Sequence, residues 1–97
     1  MNTLLLIATL TAYPSHDYIV INKASELVPW CRAEAEARYV ARGMTPYQWS
    51  ASYSDRGKML QVTGRLRVDG QDAEVRCRIA RGARDHYATI EIDDPRL

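Results

Sequence analysis

The chain contains no phenylalanine, although tyrosine occurs six times and tryptophan twice. Its large apolar anchors therefore carry polar tips, which suits half-buried positions above a thin core. Lysine is scarce: eleven of the thirteen basic residues are arginine, and only Lys23 and Lys58 are lysine. Arginine forms planar, bidentate pairs with carboxylates, so the bias fits organised ion pairs on a sheet. It fits a GC-rich coding sequence equally well. No charge of one sign prevails, since 13 Lys and Arg against 12 Asp and Glu leave a net charge of +1. That balance excludes a strong field steering the whole molecule onto nucleic acid or an acidic membrane. No apolar run reaches the ~20 residues of a membrane-spanning helix. A Gly-rich phosphate loop, a nucleophile elbow and zinc-ligand spacing are all missing. What remains is 97 residues, 46% apolar and 26% charged, the composition of one small folded domain rather than of a disordered tail.

Met1–Ala12 (MNTLLLIATLTA) is nearly all apolar from Leu4 and ends in small residues. It reads as the apolar region of a secretory signal over 1–12, leaving 13–97 as a single domain. No Lys or Arg precedes the run, it is short, and Leu10 fills a position that favours a small side chain. The alternative is a buried N-terminal strand pairing with Tyr18–Asn22 across a turn at Pro14-Ser15-His16-Asp17.

Ser25–Gly43 is dominated by Ala, Glu and Arg and predicts a helix, with Pro29 in its first turn and Gly43 as its C-terminal cap. At 100° per residue, Trp30, Ala33, Ala37, Val40 and Ala41 share one face, widened by Leu27 and Cys31. Glu34 and Arg38 are spaced as an i,i+4 ion pair. After Gly43 the period changes to two. Tyr47, Trp49, Ala51 and Tyr53 alternate with polar residues, and a turn follows at Ser54-Asp55-Arg56-Gly57. Leu60, Val62, Gly64, Leu66 and Val68 form the next alternation, and Asp69-Gly70 is a strong hairpin signal. Val75, Cys77 and Ile79 follow, then a loop from Arg81 to Asp85, then Ala88, Ile90 and Ile92.

These strands constrain one another. If Val68 faces Gln71 across Asp69-Gly70, then Leu66 meets Ala73, Gly64 meets Val75, Val62 meets Cys77 and Leu60 meets Ile79. On the other face Arg67 meets Asp72 and Arg65 meets Glu74, both opposite-charge pairs. Continuing to the last strand sets Cys77 opposite Ile90, Val75 opposite Ile92 and Arg76 opposite Glu91. A slip of one residue would turn every apolar side chain to the wrong face. The expected fold is α+β: one helix packed on a four-stranded antiparallel meander, a two-layer sandwich.

In this arrangement Cys31 and Cys77 both point into the layer between helix and sheet. In an oxidising compartment they should form a disulfide; in the cytosol they would be two buried thiols. A catalytic thiol needs an exposed, electropositive setting that neither position offers. Two Cys and two distant His do not make a metal site. Among the arginines of the middle hairpin, cross-strand carboxylates account for Arg65, Arg67 and Arg76. Arg78, Arg81 and Arg84 are left over, with Tyr87 beside them. The segment Arg81-Gly82-Ala83-Arg84 is therefore a candidate anion site or partner-binding edge. Asp85-His86 and Asp93-Asp94 read as the borders of the last strand rather than acid–base pairs.

One helix gripping an antiparallel sheet resembles the cystatin arrangement. Gln61-Val62-Thr63-Gly64 is similar to the Gln-x-Val-x-Gly loop of that family, and Val28-Pro29-Trp30 to its Pro-Trp hairpin. Here the first is one residue short and lies within a strand, and the second lies in a helix. The resemblance thus implies an arrangement and carries over no inhibitory residue. The stretches SELVPWCRAEAEARYVARG, CRIARGAR and IEIDDPRL resemble short exported bacterial proteins of unknown function, which implies export and the Cys31–Cys77 bridge.

These readings converge on a small periplasmic or secreted binding module that engages another protein as an inhibitor, immunity factor or envelope accessory. A thin two-layer domain has little room for a deep pocket, so no catalysis, cofactor or metal is expected. The contact residues would be Arg78, Arg81, Arg84 and Tyr87. The alternative is a cytoplasmic nucleic-acid-binding or regulatory protein that uses the Arg-rich hairpin.

Overall fold

The computed structural model describes residues 19–97, so Met1–Ala12 lies outside the described residues. The elements run in the order β1 (Val20–Ile21), α1 (Ala24–Val40), β2 (Pro46–Arg56), β3 (Met59–Val68), β4 (Gln71–Ala80), β5 (Ala83–Arg84), a 3-10 turn (Asp85–Tyr87) and β6 (Thr89–Asp93). Strands β2, β3, β4 and β6 form an antiparallel sheet in that order, and α1 packs on one face of it. This is the expected α+β two-layer sandwich.

The strand register follows the sequence pattern residue for residue. Leu66 faces Ala73, Val62 faces Cys77 and Leu60 faces Ile79 between β3 and β4. Between β4 and β6, Cys77 faces Ile90 and Arg76 faces Glu91. The Asp69-Gly70 loop has positive φ at both residues, 51° and 84°, as a type I′ hairpin turn requires. The β2–β3 turn is tighter than the sequence suggests. The strands run on through Arg56, and only Gly57 and Lys58 form the loop, with φ +64° at Gly57. A positive φ at the first loop position is the II′ pattern, which continues the twist of both strands.

Helix α1 begins one residue earlier than expected. The Glu26 carboxylate accepts from the backbone N–H groups of Asn22 and Lys23, at 2.8 and 3.2 Å, and so fixes the entry of the chain. Pro29 consequently sits at the sixth helical position, in the second turn rather than the first. Its missing N–H leaves the Ser25 carbonyl without its helical partner, and Ser25 is exposed, so water can replace the bond. The C-terminus closes as expected. Gly43 has φ +76°, its N–H donates to the Val40 carbonyl, and the Met44 N–H donates to the Tyr39 carbonyl. These are the paired bonds of a Schellman cap, which needs the left-handed residue that glycine supplies.

The docking face of α1 differs from the expected stripe. Ala24, Leu27, Cys31, Ala35 and Tyr39 are buried, whereas Ala33, Ala37, Val40 and Ala41 face solvent and Trp30 is half-buried at the rim. The helix is rich in alanine all round, so apolar spacing does not choose between overlapping stripes. Two bonds make the choice: the bridge from Cys31, midway along the helix, to Cys77 in the sheet, and the Tyr39 hydroxyl at the C-terminal end. On the solvent side the ion pair is Arg32 with Glu36, at 2.9 Å, rather than Glu34 with Arg38.

The core is completed by Ile21, Leu60, Val62, Leu66, Val68, Ala73, Val75, Cys77 and Ile79. Each large aliphatic side chain buried this way contributes roughly 1.5–3 kcal/mol. Strand β2 lies at the sheet edge, and its inner face is covered only in part. Trp49 is half-buried, and Ala51 and Tyr53 are exposed. A bulge between Pro46 and Gln48 takes Tyr47 out of the alternation and toward Arg67. The Trp49 ring lies across Gly64, where a Cβ atom would collide with its Cη2. Glycine is therefore required at this point of β3 by the indole above it.

Candidate functional site

The segment Arg81 to Asp85 is not a plain loop. Ala83 and Arg84 form β5, which pairs antiparallel with β1: Val20 opposite Arg84 and Ile21 opposite Ala83. The small second sheet brings the chain entering α1 against the end of β4. Within the segment Tyr18–Asn22, Val20–Ile21 is a strand that pairs with β5; the expected strand over Met1–Ala12 lies outside the described residues.

Arg81 holds this junction together. Its guanidinium pairs with Asp55 at 2.5 Å and donates to the carbonyls of Gly57 and Asn22, at 3.0 and 2.8 Å. Its backbone N–H donates to Lys58 and that of Gly82 to Ile21. Asp55 also accepts from the Ala24 N–H at the start of α1, at 2.9 Å. That backbone donor, followed by Arg81, holds the Asp55 carboxyl below its usual range. One carboxylate thereby caps a helix from the far end of a hairpin. Arg81 is not the unpartnered cation that the sheet register suggests, because its donors are spent inside the fold. The register itself carried the signal: one step beyond Met59–Ala80, Lys58 falls opposite Arg81, beside the β2–β3 turn.

The other predicted residues divide. Arg84 is engaged by neighbouring groups, as is His86. Arg78 lies on the outer face of the sheet in the row Ser54, Gln61, Arg78, Thr89, and so has hydroxyl and amide neighbours rather than a carboxylate. Arg78 and Tyr87 line one shallow cleft of about 410 Å³ together with Met59, Ala80, Ala83 and Thr89. Tyr87 is 68% exposed, the most open large apolar residue described, and its ring stacks against His86 with centroids 4.2 Å apart. The 3-10 turn between β5 and β6 presents it.

Elsewhere on the outer face two of the cations are neutralised. Arg67 meets Asp72 at 2.9 Å, and Arg76 lies between Glu74 and Glu91, at 3.5 and 3.4 Å. Glu74, expected to serve Arg65, is drawn to Arg76 instead. These pairs are solvent-exposed and contribute little to stability. Cys31 and Cys77 are bonded, Sγ to Sγ at 2.10 Å, and close a separation of 46 residues. Both sulfurs are thus committed to the structure. Among the described residues no group of three or more His, Cys, Asp or Glu is placed to hold a metal ion. Among them, too, no helix is long and apolar enough to cross a membrane.

The class so defined is a disulfide-bridged α+β sandwich whose open features are a small aromatic cleft and a long sheet edge. No family model, curated protein or solved structure matches the chain.

Proposed function

We propose that this domain is an exported binding module that engages another protein through the cleft at Tyr87, without catalysis. The observation that carries the reading is the composition of that cleft: an open tyrosine, a methionine and an arginine around small apolar residues. Tyrosine and arginine are the side chains that anchor protein interfaces, and methionine adapts to irregular partners. The matching surface on a partner is an apolar side chain inserted beside Met59 and Tyr87, with a carboxylate for Arg78. The disulfide supports export, since such bonds persist in oxidising compartments. Inhibitor, immunity factor and envelope accessory are the roles that a rigid, cross-linked domain of this size suits.

The test is site-specific photo-crosslinking in the native cell, with a photoreactive aromatic residue at position 87 and a control at position 53. A discrete protein adduct from position 87 alone, suppressed by Arg78→Ala, is the expected result. No adduct, or the same adducts from both positions, would remove the cleft from consideration.

A further inference from the structure

Among the described residues the sheet has two edges, and they are protected very differently. Strand β6 has five residues, Thr89–Asp93, and carries Glu91 and Asp93. Strand β2 has eleven. From Gln48 to Ser54 it contains no charge, no proline and no glycine, and its sequence is Gln-Trp-Ser-Ala-Ser-Tyr-Ser. Its Pro46 and its bulge protect only one end, and Asp55 and Arg56 lie beyond the other. Monomeric proteins break such edges with lysines, prolines or inward charges, because the open N–H and C=O groups form a template for another strand. None of these devices lies between Gln48 and Ser54.

We propose that β2 is a self-association edge, on which a second copy of this chain adds its own β2 antiparallel about a two-fold axis at Ala51. The uncharged stretch is centred on Ala51, so in this register it pairs wholly with itself. Ala51 meets Ala51 of the second copy, Ser50 meets Ser52, Gln48 meets Ser54 and Trp49 meets Tyr53, each pair but the first occurring twice. Trp49, Ala51 and Tyr53 stand on the helix side of the sheet, opposite Leu66, Gly64 and Val62. A two-fold axis perpendicular to the sheet keeps them on that side. Each exposed Tyr53 ring then covers the open edge of the other copy's Trp49, the half-buried indole that already lies over Gly64. Aromatic pairs across antiparallel strands are among the most stabilising. No like charges meet in this register, because Asp55 and Arg56 fall outside the paired stretch. The product is a continuous eight-stranded sheet with both helices on one face.

A second copy is favoured over a foreign peptide because the uncharged stretch is complementary to itself residue by residue in this register. The paired edge spans about 23 Å at about 3.3 Å per residue. That is a small interface, so the dimer is expected to dissociate at about 10–100 µM. This surface lies on the sheet edge opposite β6 and is independent of the Tyr87 cleft.

Sedimentation velocity of the full, disulfide-bonded chain across about 5–500 µM tests the proposal. Wild type should shift from monomer to dimer. Ala51→Lys places two lysines face to face on the axis, and Ala51→Glu places two glutamates there. Each variant alone should weaken the dimer at least about tenfold, which corresponds to 1.4 kcal/mol. Ala51 is exposed, so both monomers should melt like wild type. Mixing the two variants should restore the dimer as a heterodimer. A wild type that stays monomeric throughout the range overturns the proposal, whether the edge is covered by residues 1–18 or simply does not pair. So does a dimer that Ala51→Lys leaves unchanged.

Discussion

The hydroxyl of Tyr39, on the last turn of α1, donates to the Asp94 carboxylate just past the end of β6, at 2.5 Å. Arg96 completes the group. It grips Asp94 with Nε and Nη2, donates through Nη1 to the Val68 carbonyl, and lies 5.8 Å from the centre of the Tyr39 ring. The Asp94 side chain is 5% exposed, in a part-buried cluster that supplies its donors. The cluster ties helix, sheet and C-terminal tail together.

The pH dependence follows from the two shifted groups. Arg96, opposed by burial, holds the Asp94 carboxyl far below its usual range. Its contribution is present above the unfolded value near ~3.9 and is lost as pH falls below that. Burial, aided by Asp94, pushes the Tyr39 phenol well above its usual range. That contribution is present below ~10 and is lost as pH rises beyond it. Denaturant titrations should therefore show a plateau between about pH 4 and pH 10, where these two groups contribute fully. Asp94→Asn should flatten the acid limb and Tyr39→Phe the alkaline one. At neutral pH, Tyr39→Phe should cost roughly 1.5–3 kcal/mol, the range for a bond to a charged group. Unchanged limbs in both variants would contradict this assignment.

The rotation of α1 is checked by a pair of substitutions. Leu27 is fully buried, so Leu27→Ala should destabilise by about 2–5 kcal/mol. Trp30 sits at the rim, so Trp30→Ala should cost about 2 kcal/mol or less, despite the larger side chain removed. A Trp30 variant less stable than the Leu27 variant would place the helix on its other stripe.

Cys31 and Cys77 cross-link helix to sheet over 46 residues. In the chain-entropy account a loop of that length contributes ~4 kcal/mol, and often less in practice. The double replacement Cys31→Ser with Cys77→Ser should lower the midpoint of unfolding accordingly. Thiol titration of the native chain under denaturing, non-reducing conditions should find no reactive thiol; two would show the bridge to be absent.

Gly64→Ala tests the contact beneath Trp49. The new methyl group would meet the indole well inside contact distance, so the ring must leave. A cost of about 1–3 kcal/mol is expected, with a red shift of tryptophan emission. A stable variant with unshifted emission would mean that the ring does not lie over Gly64.

The Arg-rich face gives a prediction about nucleic acid. Carboxylates neutralise Arg67 and Arg76, and Arg81 is spent inside the fold. Titration against DNA and RNA at low salt should therefore give dissociation constants no tighter than ~10⁻⁴ M, the weak end of non-specific binding. Micromolar, salt-sensitive binding that Arg65→Ala with Arg78→Ala removes would favour the nucleic-acid reading over a protein partner.

The sheet was legible in the sequence because strand alternation has a period of two, and one misplaced residue would invert every side chain from Leu60 to Ile92. The Asp69-Gly70 turn set the hairpin register, and alternation then aimed Cys77 at the layer where Cys31 could reach it. The helix was legible as an element but not in its rotation, since an alanine-rich surface presents several stripes of similar hydrophobicity. Tertiary structure decided that rotation through Cys31 and Tyr39. It also decided the fate of Arg81 and Asp94. Arg81 is held by groups distant in the chain (Asp55, Asn22 and Gly57), and Asp94 by the distant Tyr39 as well as by its neighbour Arg96; strand alternation alone does not encode such meetings. Periodicity records which face a residue takes; only the packed chain determines which polar groups come within 3 Å of one another at its corners, where the regular ladders end.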